Sequence, residues 1–201
     1  MTTEITDKEI VALTSITEIL NRSCELKVKL QPATLTDFET IFDILYENAQ
    51  WLEKRNIVQW PLWWLESQRD EIKESVAKGY FYRLEVESET ESEVGNVIAA
   101  VVELRSSPEK VWQDDTAAAL YVHKLAIRRQ YSDQQLGRKV LGLIERYSAQ
   151  KNLNCLRLDC VAHNLKLRQY YESYGFKLIT EVDTPEVVLA LYELNIELNI
   201  E

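Results

Sequence analysis

Apolar positions along the chain change period several times, and each change marks an element. In "TDKEIVALTSITEILN", Ile10, Leu13, Ile16 or Thr17, and Leu20 recur at helical spacing, predicting an amphipathic helix within residues 1–24. "LKVKLQP" (26–32) alternates and stops at proline, as a first strand does. "TDFE" (36–39) matches a capping box ahead of Phe38, Ile41, Phe42 and Leu45, so a helix is expected from there towards Lys54. After Pro61, "LWWLESQRDEIKESVAKG" reads as one further helix closed by Gly79.

The period then shortens. "YFYRLEV" (80–86) and "VGNVIAAVVEL" (94–104), joined by an acidic turn, predict a hairpin, and "AAALYVHKLAI" (117–127) a third long strand. Helical spacing returns in "LGRKVLGLIERYSAQK". It is followed by a strand at "CLRLDCV" (155–161), a helix at "NLKLRQYYESY" (164–174) and a closing strand at "VVLALYELNI" (187–196). The order is an α/β sheet whose later part alternates strand and helix. It divides into an N-terminal extension (1–24), one domain (25–195) and a short tail (196–201).

Composition narrows the class. In 201 residues, 46% are apolar, enough for one full core and too few for two comfortable domains. MTTEITDKEI lacks the basic start and apolar run of a signal peptide, and no stretch reaches membrane-spanning length. Cys24, Cys155 and Cys160 suit a reducing compartment, so a cytoplasmic protein with no membrane partner is expected. The C-x4-C spacing of Cys155 and Cys160 puts the thiols on opposite strand faces, and His123 and His163 supply at most part of a zinc site; no metal is expected.

Charge adds a local feature. The net charge of −10 disfavours nucleic acid as a partner. Yet Tyr121 to Tyr170 holds ten Lys or Arg against three Asp or Glu, a basic island that suits one local anionic ligand.

That island contains "RRQYSDQQLGRKVL" (128–141), a loop entering a helix. A helix start presents unpaired N–H groups and the positive end of the dipole, which together favour phosphate. Arg128, Arg129, Arg138 and Lys139 flank it, and Gly137 alone offers close backbone approach. The spacing is neither a Walker loop nor G-x-G-x-x-G.

"HNLKLRQYYESYGF" (163–176) adds Asn164 at a helix start, Leu167 and Tyr171 at helical spacing, and Gly175-Phe176 at the end. Together with "HKLAI" and the loop after it, this resembles the GNAT family of acyl-CoA-dependent N-acetyltransferases over about residues 25 to 195, most strongly from 117 to 176. The resemblance implies the GNAT fold, a central mixed, mostly antiparallel sheet flanked by helices, and acetyl-CoA as co-substrate. The family's loop usually reads Q/R-x-x-G-x-G/A; aligned on Gly137, Ser132 stands at the first position and Gln135 at the first glycine. Backbone N–H groups hold the pyrophosphate in the family, so a non-glycine at 135 is tolerable if it keeps φ below zero with its side chain outward.

The resemblance also implies roles. Leu125, Ala126 and Ile127 would offer strand-edge groups to the pantetheine arm, one amide polarising the thioester carbonyl. Ser132, Asp133, Gln134, Gln135, Leu136, Gly137 and Arg138 would hold the pyrophosphate, and Asn164 the pantetheine or nearby chain. Tyr171 stands where the family has a general acid for the departing thiolate; with reference values of ~10 for tyrosine and ~8.5 for a thiol, the phenol keeps its proton at neutral pH.

The family has no fixed base, so the residues must nominate one. His123, expected on the same strand face as Leu125 and Ile127, is the candidate, its ordinary value near ~6.5 suiting proton pickup. A histidine on an apolar strand also reads as a satisfied core residue, and Glu103 is a further candidate. Trp51, Trp60, Trp63 and Trp64 would wall an amine acceptor, or simply pack a helical hairpin. The expected partner is a small-molecule or peptide amine; a homodimer is compatible with the fold. The expectation is an acetyl-CoA-dependent N-acetyltransferase, with a non-catalytic acyl-CoA-binding or sensing module as the alternative.

Overall fold

A computed structural model describes residues 16–18, 28–90, 93–107, 110–112 and 117–196. Among them one mixed sheet is built from β1 (Ile16–Glu18), β2 (Val28–Pro32), β3 (Phe81–Thr90), β4 (Glu93–Arg105), β5 (Ala119–Ile127), β6 (Cys155–Val161), β7 (Lys177–Asp183) and β8 (Val188–Asn195). Its order is β1-β2-β3-β4-β5-β6-β8-β7, antiparallel throughout except for the parallel pair β5–β6. The helices are α1 (Phe38–Glu53), α2 (Leu62–Ser67), α3 (Arg69–Ala77), α4 (Leu136–Gln150) and α5 (Leu165–Tyr174). None of the described helices is long and apolar enough to cross a membrane, and the described residues contain no cluster that could hold a metal ion.

Strand alternation divides the core. Phe81, Val101 and Ala126 join the buried side chains of α1 and α3, among them Ile41, Leu45 and Ile72. Tyr82, Val102, Leu104, Leu120 and Val122 face the other way, against Val140, Leu143 and Ile144 of α4 and Tyr171 of α5. Cys160 lies in that second core, whereas Cys155 packs with Trp112 and Tyr121, so the two thiols do take opposite faces.

Several expectations need correction. Ile16–Glu18, inside the predicted N-terminal helix, is a short strand paired with Val28–Leu30; most of the rest of that helix, and residues 197–201, lie outside the described residues. The capping interaction falls two residues early. The Asp37 carboxylate accepts the Thr34 N–H at 2.7 Å and its hydroxyl at 2.9 Å, and Arg83 of β3 also holds that carboxylate. The single helix expected after Pro61 breaks at Gln68, where the Ser67 hydroxyl donates to the Trp64 carbonyl at 2.7 Å and bends the chain. No sequence pattern predicts β7, because its side chains are almost all exposed and show no half-buried alternation.

Candidate active site

β5 and β6 pair only over Ala119–Tyr121 and Cys155–Arg157. Beyond Tyr121 and Arg157 the two parallel strands part, and the gap opens into a cleft of about 810 Å³. α1, the α1–α2 loop and α2 wall one side of it and α5 the other, with the start of α4 beneath. Asn48 of α1 fixes the end of β5, its side-chain N–H donating to the Ile127 carbonyl at 2.9 Å.

A bulge reorganises β5 at this point. Val101 pairs with Ala126 and Glu103 with His123, so Lys124 and Leu125 together oppose Val102. Lys124 takes the left-handed conformation, φ 47°, and its ammonium donates to Glu103 at 2.7 Å. The bulge reverses the alternation. His123 shares the face of Tyr121, Glu103 and Ala126, towards α1 and α3, while Leu125 and Ile127 pack into the α4–α5 core. The expected common face of His123, Leu125 and Ile127 is therefore wrong, since a period of two holds only through an unbulged strand. All three still reach the cleft, from its two sides.

Glu103 is 1% exposed and does not line the cleft. Burial alone would raise its pKa, but Lys124 and Arg105, whose Nε donates at 2.8 Å, together hold the carboxyl below its ordinary value. A carboxylate so enclosed is a weak candidate for a base, and its geometry fits it to anchor the bulge.

The loop after β5 forms a short helical turn over Arg129–Tyr131, and α4 starts at Leu136. Its first internal hydrogen bond runs from Lys139 N–H to the Gln135 carbonyl at 3.2 Å, and at a helix start the amides of Leu136, Gly137 and Arg138 point outward. Gln135 has φ 54° and ψ 22°, so the condition of a negative φ is not met. A glutamine thus holds the left-handed position that glycine adopts without strain. Ser132 and Gly137 line the cleft; Asp133, Gln134, Gln135, Leu136 and Arg138 do not. The Arg138 guanidinium is turned away from the loop, donating to the Ser173 hydroxyl at 3.2 Å and carbonyl at 3.0 Å, so only its backbone N–H remains at the helix start.

At the opposite wall Asn164 caps α5, its side-chain oxygen accepting the Leu167 N–H at 3.3 Å. Its amide N–H donates to Gln59 at 3.2 Å, a contact that no sequence signal announces because Gln59 lies 105 residues away in a loop. Tyr171 is 7% exposed, lines the cleft, and stacks edge-on with Phe176 at 5.8 Å. Burial, followed by the neighbouring Cys160, Tyr170 and Asp159, pushes its pKa well above the ordinary tyrosine range, so it stays a phenol.

Trp51, Trp60, Trp63 and Trp64 all line the cleft, and Trp63 is 67% exposed. Trp60 and Trp64 also pack on the α1–α3 core, so the lining and packing alternatives both hold for them. Arg55 and Arg129 each lie 4.1 Å from the Trp51 ring centroid, which puts positive charge at the start of the α4 loop. Glu71, Asp159 and Glu186 also line the cleft.

A model described as the acetyltransferase (GNAT) family matches residues 45–176. The chain is 30% identical over 153 residues to the uncharacterized N-acetyltransferase YesJ of Bacillus subtilis (strain 168), covering 74% of this chain and 81% of that one. It is similar in fold to a GNAT-family acetyltransferase from Listeria monocytogenes 4b F2365, with TM-score 0.67, 23% identity, and 85% and 95% of the two chains covered. It is also similar to the PaiA N-acetyltransferase of Thermoplasma acidophilum in complex with coenzyme A, with TM-score 0.61, 15% identity, and 84% and 99% covered.

Proposed function

The chain belongs to the acetyltransferase (GNAT) family, and from that membership we propose that it transfers the acetyl group of acetyl-CoA to a primary amine of a small molecule or peptide, by direct attack. The observation that carries this reading is the parting of β5 from β6 beside the start of α4. An extended, amide-bearing arm suits a strand edge with no partner, and a pyrophosphate suits outward helix-start amides. The coenzyme A complex of the Thermoplasma protein, alike in fold, supports the same choice of ligand.

In this reading Leu125, Ala126 and Ile127 contribute backbone groups to the arm, and the loop from Ser132 to Arg138 holds the pyrophosphate through main-chain N–H. Acetyl-CoA supplies the activated acyl group. The cleft holds that group between two sides of the sheet. A backbone N–H near the bulge polarises its carbonyl, and preorganised donors of this kind act strongly where water is excluded. His123, on the α1–α3 side, takes the proton of the attacking amine. Tyr171, on the α5 side, keeps a proton for the departing sulfur. The tryptophans with Glu71, Asp159 and Glu186 favour a cationic amine with an apolar body.

The sensing-module alternative draws its force from Gln135, which stands where the family has glycine. Its backbone takes the left-handed conformation that a glycine would take there, which supports a loop shaped to close. The test is calorimetric titration with acetyl-CoA, followed by thiol release over a panel of amines, amino acids and peptides. Absence of acetyl-CoA binding would refute the reading; binding without thiol release would leave a binding module.

A further inference from the structure

Gln59 stands in the loop between α1 and α2, and its side-chain oxygen meets two donors across the cleft. It accepts the Val161 N–H at 3.2 Å and the Asn164 side-chain N–H at 3.2 Å. The first donor has a structural origin. Ala162 gives its N–H to the Val188 carbonyl at 2.9 Å, so alternation turns the Val161 N–H towards the edge that β5 has left. Strand N–H groups at a bare edge need an acceptor, and Gln59 supplies one where a neighbouring strand would have done so. The second donor is what Asn164 has left to offer, since its oxygen is committed to the cap of α5.

A carboxamide oxygen converging on two donors in the wall of an open cleft does what an amide-bearing ligand would do there. We propose that Gln59 is a placeholder for an amide carbonyl of the CoA arm. The ligand's carbonyl takes over the Val161 and Asn164 donors, Gln59 is expelled, and the loop carrying Trp60 is released from β6 at the moment the cofactor seats. The inference rests on the acyl-CoA reading above. Its consequence is a reduced apparent affinity, because only molecules with Gln59 detached are competent to bind the arm.

The test is calorimetry with two probes, coenzyme A and adenosine 3′,5′-bisphosphate, the second having the phosphates without the amide arm. Gln59→Leu is expected to bind coenzyme A about tenfold tighter, because two competing hydrogen bonds are gone. It should leave the bisphosphate unchanged. Gln59→Glu should weaken coenzyme A instead, since a carboxylate accepts the same N–H groups more strongly. Hydrogen exchange on the unaltered protein gives an independent measurement: coenzyme A should accelerate exchange at residues 57–60. A Gln59→Leu variant that binds coenzyme A no tighter, or equal shifts with both probes, or protection of that loop, overturns the inference. Unaltered protein that binds neither probe removes the acyl-CoA reading as well; binding of both with one coenzyme A affinity across all three proteins overturns this inference alone.

Discussion

Gly137, at the start of α4, lies directly against Tyr170 of α5: a Cβ there would sit 2.5 Å from the phenol oxygen and 3.4 Å from Cζ. The glycine is thus required by its neighbour in the fold. Gly137→Ala is expected to lose about 1–3 kcal/mol through overpacking. Because the clash is with the oxygen, Tyr170→Phe in the same chain should recover that loss, aided by alanine's better helix propensity of about 1 kcal/mol. Thermal melts of the two single variants and the double variant test the coupling; additive losses would mean that the clash is relieved elsewhere.

Gln135 holds a left-handed backbone at φ 54°, which costs a residue with a Cβ about 1–2 kcal/mol. Glycine removes that strain but loses more conformational entropy on folding, about 0.5–1 kcal/mol. Gln135→Gly should therefore stabilise the protein by up to about 1 kcal/mol, a rise of roughly 2–4 °C in melting temperature for a chain of this size. Since the native conformation is already glycine-like, coenzyme A affinity should change less than about threefold, well under the factor of ten that 1.4 kcal/mol represents. A large gain in affinity would show that the glutamine side chain obstructs the loop.

Local patterns carry part of this site in the sequence. The loop, its helix and the N-x-x-L pattern of α5 could be placed because helical periodicity and capping chemistry are local. The site's finer geometry depends on pairings distant in sequence. The bulge that turns His123 away from Leu125 arises where β4 meets β5, and Lys124 adopts its positive φ with its ammonium tied to Glu103. Gln59 has no signature because a loop glutamine is defined only by the strand edge it happens to meet. Strand β7 is not legible in the sequence for a different reason: its exposed side chains leave no pattern to read.

Glu103 links the bulge to acid stability. Its carboxyl is buried, and Lys124 and Arg105 hold it below its ordinary value, so the folded state binds its proton less readily than the unfolded chain. Its stabilising contribution is therefore fully present above the unfolded carboxyl value of ~4.3 and is lost as pH falls through the lower, folded value. Glu103→Gln removes the carboxylate that Lys124 and Arg105 share and should cost about 3 kcal/mol at neutral pH. That variant should also lose less stability on acidification than the unaltered chain. Melting curves from pH 7 down to pH 3 decide it; parallel acid limbs would assign the acid sensitivity to other carboxyls.

Tyr171 supports the most direct chemical prediction. Its ring packs against Phe176 at 5.8 Å and Tyr192 at 6.3 Å, contacts that phenylalanine preserves, so Tyr171→Phe removes the hydroxyl with little change in shape. Burial raises its pKa above the ordinary ~10, so the proton is present throughout the neutral and mildly basic range. If that proton goes to the departing sulfur, the loss must fall on the chemical step. kcat is then expected to drop about 10²-fold, the lower end for general acid catalysis, while the coenzyme A dissociation constant stays within about threefold. The unaltered enzyme should show no basic fall in rate attributable to Tyr171 below about pH 10. Equal kcat values for the two proteins would take the acid role from Tyr171. A loss confined to coenzyme A binding would make it a residue of the cofactor wall, with the thiolate protonated from solvent.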